Sequence, residues 1–184
     1  MSDAVGWYEM HAREAARRYE SISAVDTLGW FSDLVPAQPS LVLDVGAGSG
    51  RDAAWLARQG HDVIAAEPAA AMRQEARRRH GETGLRWIHD QLPGLEGVHR
   101  LGLSFDIILL NAVWMHVAPG DRPRAFRKLM SLLKPGGRLV ITLRHGPAEP
   151  ERGMHEVHPE EIGTLARDHG AFVERQVTSA DRMG

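Results

Sequence analysis

The 184-residue sequence has no cysteine, which excludes disulfides, thiolate metal cages and any cysteine nucleophile, and fits a reducing compartment. It also lacks a charge excess of either sign: 22 Lys and Arg stand against 24 Asp and Glu, a formal net charge of −2. A nucleic-acid binder held by phosphate neutralisation needs a basic excess, so nucleic acid is not expected as a partner. Long apolar runs are missing too. The longest, from Ile107 to Val117, is interrupted by Asn111 and falls far short of the roughly 20 residues of a membrane span. The first residues carry Glu9, Arg13, Glu14, Arg17 and Arg18 and do not read as a secretory leader. A cytoplasmic protein without a membrane partner is expected. Apolar residues at 43% and charged residues at 25% are ordinary for a folded chain of this length. The expectation is a single domain over residues 1–184, with a helical N-terminal section at 1–37.

Periodicity then organises the chain. Tyr8, Ala12, Ala15, Ala16 and Tyr19 share one helical flank, and Val25, Leu28, Phe31 and Leu34 form a second apolar set before Pro36 and Pro39 end the section. A strand–turn–helix rhythm follows. Leu41 to Val45 reads as a short buried strand, Gly46 to Gly50 as a glycine turn and Asp52 to Arg58 as a helix. Further strands are predicted at residues 62–67, 85–89, 105–111, 138–144 and 171–177, and helices at 69–79, 122–133 and 159–169. Lys134-Pro135-Gly136-Gly137 stops the helix before the fifth strand. Six strands alternating with helices predict a Rossmann-like, doubly wound α/β fold with a mostly parallel sheet. In such a sheet ligands bind at the carboxyl ends of the strands. Asp44 to Gly50, Glu67, Asp90 and Asn111 to His116 all fall at or just past a strand end.

The glycine segment Val42-Leu-Asp-Val-Gly-Ala-Gly-Ser-Gly50 suits a nucleotide-type ligand, because glycines allow a tight turn and close backbone approach. The dinucleotide fingerprint Gly-x-Gly-x-x-Gly fails at Arg51, and Asp44 would repel a pyrophosphate while attracting an ammonium or sulfonium. A nicotinamide-dependent dehydrogenase is thereby disfavoured. With this segment, the sequence resembles the class I S-adenosylmethionine-dependent methyltransferases. Four more segments are similar to that family in order: Val63-Ile-Ala-Ala-Glu67-Pro68, His89-Asp90-Gln91-Leu92-Pro93, the run from Phe105 through Asn111-Ala112 to His116, and Leu132-Leu-Lys-Pro-Gly-Gly-Arg-Leu-Val140. The resemblance covers roughly residues 38–145.

The resemblance implies S-adenosyl-L-methionine as cofactor, S-adenosyl-L-homocysteine as its product, and a small-molecule methyl acceptor. It assigns Asp44, Gly46, Ala47, Gly48 and Gly50 to the cofactor loop, Glu67 and Pro68 to the ribose, Asp90, Gln91 and Leu92 to the adenine, and Asn111 and Ala112 to the loop lining the methyl group. Arg51, toward the cofactor carboxylate, and Tyr19, as a lid, complete the set. Each has a plainer reading as cap, turn or core. His116 is the candidate general base, needed only for a protonated acceptor, with a structural histidine as its competitor. No metal is expected, since His155-Glu-Val-His158 lacks the spacing of a helical zinc motif. Asn111 is followed by Ala112-Val113-Trp114 rather than the Pro-Pro-aromatic run of base methyltransferases. The family's seventh strand, inserted between the fifth and sixth, is expected to be missing: only a hairpin approach at Ser179 to Arg182 precedes Gly184. The open edge would then take a second copy or a continuation of the chain. The alternative function is a non-catalytic cofactor-binding module of a longer protein.

Overall fold

The computed structural model describes residues 3–144 and 149–178. Its N-terminal section breaks into α1 (Asp3–Glu20), α2 (Ala24–Leu28) and a 3-10 turn at Gly29–Leu34. Ser23 caps α2 by accepting a hydrogen bond from the Asp26 backbone N–H at 3.1 Å. Then come β1 (Leu41–Val45), α3 (Arg51–Arg58), β2 (Asp62–Ala66), α4 (Ala70–His80), β3 (Arg86–Ile88), α5 (Glu96–His99), β4 (Phe105–Asn111), α6 (Arg122–Leu132), β5 (Leu133–Thr142) and α7 (Pro159–Asp168). Of these, α5 had no signal in the periodicity, being a single short turn.

The five strands form one parallel sheet in the order β3-β2-β1-β4-β5. Alternate residues of each strand feed opposite layers, as the period of two requires. Leu43, Val45, Ile64, Ile108 and Leu110 pack with Phe126, Leu129 and Leu165 of α6 and α7 on one face. Val42, Val63, Ile107 and Leu109 pack with Leu28, Phe31, Ala53 and Leu56 on the other. Outside these layers, Ala12, Ala15 and Ala16 of α1 close onto Met72 of α4. Glu9 of α1 anchors the contact by accepting from the Ala70 and Ala71 backbone N–H groups at the start of α4.

The predicted sixth strand is corrected. Residues 171–177 form no regular element and pair with no strand among the described residues, so the described sheet has five strands and β5 at its edge. Gly170, at φ +72°, ends α7, and the Ala171 N–H bonds back to the Ala166 carbonyl. Two side-chain ion pairs hold the segment that follows, Arg138–Glu174 at 2.9 Å and Arg175–Asp33 at 2.7 Å, while Phe172, Val173 and Val177 stay exposed. The β-type composition of this run carried no information on whether a partner edge would be within reach. The hairpin approach at Ser179 to Arg182 and the end at Gly184 lie outside the described residues.

Candidate active site

β1 turns from the sheet through Gly46, Gly48 and Gly50, all at positive φ (+69°, +54° and +81°), a conformation that glycine adopts without steric cost. The Gly46 and Ala47 N–H groups both donate to the Ala66 carbonyl at the end of β2, at 2.7 and 3.1 Å. A Cβ at Gly46 would stand 2.6 Å from Val113 Cγ2, so the loop after β4 closes directly over the glycine turn. Gly46→Ala is therefore expected to destabilise the fold by about 1–3 kcal/mol through clash and positive φ. Urea unfolding against wild type measures this, and an unchanged midpoint would show that Val113 gives way freely.

At the carboxyl ends of β1 and β4, where the strand order reverses, a cleft of about 1450 Å³ opens. That exceeds the roughly 300–1,000 Å³ of a site for one drug-sized ligand and leaves room for two molecules. Tyr19, Asp44, Gly46, Ala47, Gly48, Arg51, Glu67, Pro68, Gln91, Leu92, Asn111, Ala112 and His116 all line it. Gly50 and Asp90 do not. Gly50 faces the Trp87 ring and Ala76, where a Cβ would come within 3.1–3.3 Å. Asp90 turns its carboxylate to the backbone, accepting from the Gln91 N–H at 2.9 Å and the Val98 N–H at 2.8 Å, and so pins α5.

Asp44 is 2% exposed, and its Oδ2 has no hydrogen-bond partner among the described residues. Burial raises its pKa well above 3.8, and the nearby Asp52 and Glu67 carboxylates push the same way. Arg51 and the Ala53 N–H pull it back only in part. Glu67 is buried too, yet both its oxygens are used. Oε2 accepts from the Gly48 N–H and Oε1 from the Ala69 N–H, each at 2.9 Å. Its pKa is raised by burial and held down by those two bonds.

Arg51 is committed to the scaffold. It donates to the Asp52 carboxylate at 2.7 and 3.1 Å and to the Tyr19 and Ile22 carbonyls at 2.8 and 3.3 Å, strapping the end of α1 to the start of α3. Asp52 also accepts from Asn111 Nδ2 at 2.7 Å, Asn111 Oδ1 accepts from the Thr142 hydroxyl at 2.5 Å, and the Thr142 oxygen accepts from the Ala112 N–H at 2.9 Å. This chain locks the ends of β4 and β5 to α3. Thr142→Val removes an acceptor and a donor together and is expected to cost about 1–3 kcal/mol in chemical unfolding. No loss would mean that water replaces both bonds.

His116 is one of the residues lining the cleft. Its Nδ1 faces the Gly153 carbonyl at 3.4 Å and its Nε2 faces the Tyr8 hydroxyl at 3.5 Å, both long. A carbonyl only accepts, so Nδ1 carries the proton and Nε2 presents a lone pair. Burial lowers the His116 pKa, which leaves the ring neutral at pH 7. Beside it, Trp114 is fully buried against Phe126, a core residue, whereas Met115 reaches the cleft. Tyr8 and Arg152 also line the cleft, and the sequence reading gave neither of them a functional role. Tyr8 stands 11 residues from Tyr19, three helical turns, so the shared flank was legible. Arg152 had no local signal.

The methyltransferase domain family matches residues 42–137. The chain belongs to that family. An uncharacterized methyltransferase of Mycobacterium tuberculosis H37Rv is 33% identical over 108 residues, 59% of this chain and 52% of the relative. The demethylmenaquinone methyltransferase of Beutenbergia cavernae is 29% identical over 148 residues, 76% of this chain and 57% of the relative. The chain thus spans about half the length of the curated relatives it matches. Among solved structures, the magnesium protoporphyrin IX methyltransferase of Synechocystis with bound S-adenosylmethionine superposes at a TM-score of 0.69 with 18% identity, covering 96% of this chain and 79% of that one. The 1,6-didemethyltoxoflavin-N1-methyltransferase of Burkholderia thailandensis superposes at 0.68 with 24% identity, over 91% and 76%. These likenesses establish the Rossmann-like methyltransferase fold. No helix among the described residues is long and apolar enough to cross a membrane.

Proposed function

We propose that this domain binds S-adenosylmethionine across the strand ends and transfers its methyl group to a small organic acceptor. The observation that carries the reading is the Asp44 carboxylate, buried beneath the glycine turn with one oxygen unpartnered. A buried carboxylate flanked by two others calls for a cation, and the amino acid end of S-adenosylmethionine brings an ammonium. Gly46 and Gly48, both at positive φ, put bare backbone on the cleft wall, where a ligand can approach closely. Glu67, at the end of β2, retains lone pairs for the ribose hydroxyls beyond its two backbone bonds. The cofactor supplies a methyl on a sulfonium, ready for in-line displacement. The protein's task is to orient the acceptor and exclude water, and neutral His116 can take a proton at Nε2 where the acceptor carries one. The likeness to enzymes named for demethylmenaquinone, didemethyltoxoflavin and magnesium protoporphyrin supports a small acceptor.

The same proposal treats residues 1–184 as one domain, in keeping with α1 packed on α4, and sets it in the cytoplasm, in keeping with a chain free of cysteine. It also leaves the β5 edge as the place where a second copy or further chain would pair. Titration calorimetry with S-adenosylhomocysteine and with NAD tests the cofactor. Binding of the first and not of the second is expected, and the reverse would overturn the reading. Methyl transfer to a panel of small metabolites then distinguishes an enzyme from a binding module.

A further inference from the structure

The groups lining the cleft divide into acceptors and donors. Carboxylates crowd the glycine turn at Asp44, Asp52 and Glu67, whereas donors gather around Arg152, beside Tyr8, Tyr19 and His116. Its Nη2 donates to the Tyr8 hydroxyl at 3.1 Å and the Tyr19 hydroxyl at 3.4 Å, and its Nη1 to Glu149 at 2.9 Å, a carboxylate it shares with Arg144. The guanidinium lies over the Trp7 ring, 4.8 Å from its centroid, which fixes its plane.

The protons of this cluster can be counted. The Tyr8 and Tyr19 oxygens lie 2.9 Å apart, so one hydroxyl donates to the other. Both oxygens already accept from Arg152. One phenolic O–H is left over, and its only recipient among the described residues is His116 Nε2, at 3.5 Å from Tyr8. A cation and a spare O–H, set together on the cleft wall beside the candidate base, form a donor site for a negatively charged oxygen.

Resting on the methyltransferase reading, we propose that Arg152, Tyr8 and Tyr19 hold an oxyanion of the methyl acceptor, so that the acceptor is a small organic acid: a carboxylate, or an ionised phenol or enol. The Tyr19 ring borders the glycine turn, 3.8 Å from where a Gly48 Cβ would stand, but the guanidinium comes from the segment after β5 rather than from the cofactor loops.

Ligand-observed NMR on the full chain saturated with S-adenosylhomocysteine tests this with matched pairs. Benzoate and salicylate are set against benzamide and salicylamide for the carboxylate source, and para-nitrophenolate against para-nitroanisole for the phenolate source. In at least one source the anion is expected to bind about tenfold tighter than its neutral partner, and Arg152→Gln to erase that difference. Tyr8→Phe keeps the ring but removes a hydroxyl and is expected to cut the preference several-fold, so it decides the matter if Arg152→Gln does not fold. No preference for any anion, or a preference that survives the substitutions, overturns the proposal. So does a loss of S-adenosylhomocysteine affinity in Arg152→Gln that spares methylthioadenosine, which would put the cofactor's own carboxylate at this site. If S-adenosylhomocysteine fails to bind the wild-type chain at all, the methyltransferase reading falls, before any acceptor pair is compared.

Discussion

Asp44→Asn is expected to stabilise the ligand-free protein near neutral pH while weakening its hold on S-adenosylmethionine. The two effects share a cause. Asp44 is buried, has one oxygen without a partner and faces two further carboxylates, so its charged form is disfavoured in the folded state. A carboxyl whose folded pKa is raised binds its proton more tightly when folded than when unfolded. Its contribution to stability is therefore complete at low pH and is lost as pH rises from 3.8 through the raised folded value. Asparagine removes that loss and keeps an oxygen for the Ala53 N–H. A gain of about 1–2 kcal/mol at neutral pH is expected, discounted for the amide hydrogens that replace the orphaned oxygen. The gap to wild type should close as pH falls, because Asp44 then becomes neutral too. Urea unfolding across pH measures it. In binding, the variant should lose about tenfold or more for S-adenosylmethionine and little for adenosine, which has no ammonium. Equal losses for both ligands, or a destabilised variant, would show that Asp44 is structural.

Glu67→Gln should lose stability where Asp44→Asn gains it, and should weaken adenosine as well as the cofactor. Both Glu67 oxygens accept backbone N–H groups, one from the glycine turn and one from the entry to α4. An amide presents one oxygen and one NH₂, so either the Gly48 or the Ala69 N–H loses its acceptor. The folded state should lose about 1–3 kcal/mol as a result. S-adenosylhomocysteine binding should weaken by about ten- to a hundredfold, through weaker ribose hydrogen bonds and a loosened turn. Because adenosine carries the same ribose, it should weaken in proportion. The two variants thus separate by ligand, with Asp44→Asn sparing adenosine and Glu67→Gln not. Calorimetric titration of both variants with both ligands decides, and a Glu67→Gln protein with unchanged affinity would remove the ribose assignment.

What the sequence determined by itself was whatever local chemistry can encode. The alternation of apolar strand and amphipathic helix is written in periods of two and 3.6, which is why β1, β2, β4, α4 and α6 fall within a residue or two of their expected places. The glycine turn, with Asp44 before it and Glu67 one strand later, was legible because each is tied to a strand end, and strand ends in a doubly wound sheet converge. Pairing at the sheet edge was decided only by tertiary structure. Residues 171–177 have the composition of a strand, but a strand needs a neighbour within hydrogen-bonding distance, and this run is held instead by Arg138–Glu174 and Arg175–Asp33. Side-chain direction was decided there too. Asp90 sits at a strand end as expected, yet two backbone N–H groups claim its carboxylate. The cluster of Tyr8, Tyr19 and Arg152 lay beyond any local reading, since Arg152 stands 144 residues from Tyr8 and 133 from Tyr19. Only the closing of α1 over the strand ends brings these groups together. Periodicity records which face of an element is buried; which charged group meets it across the cleft depends on how the elements pack.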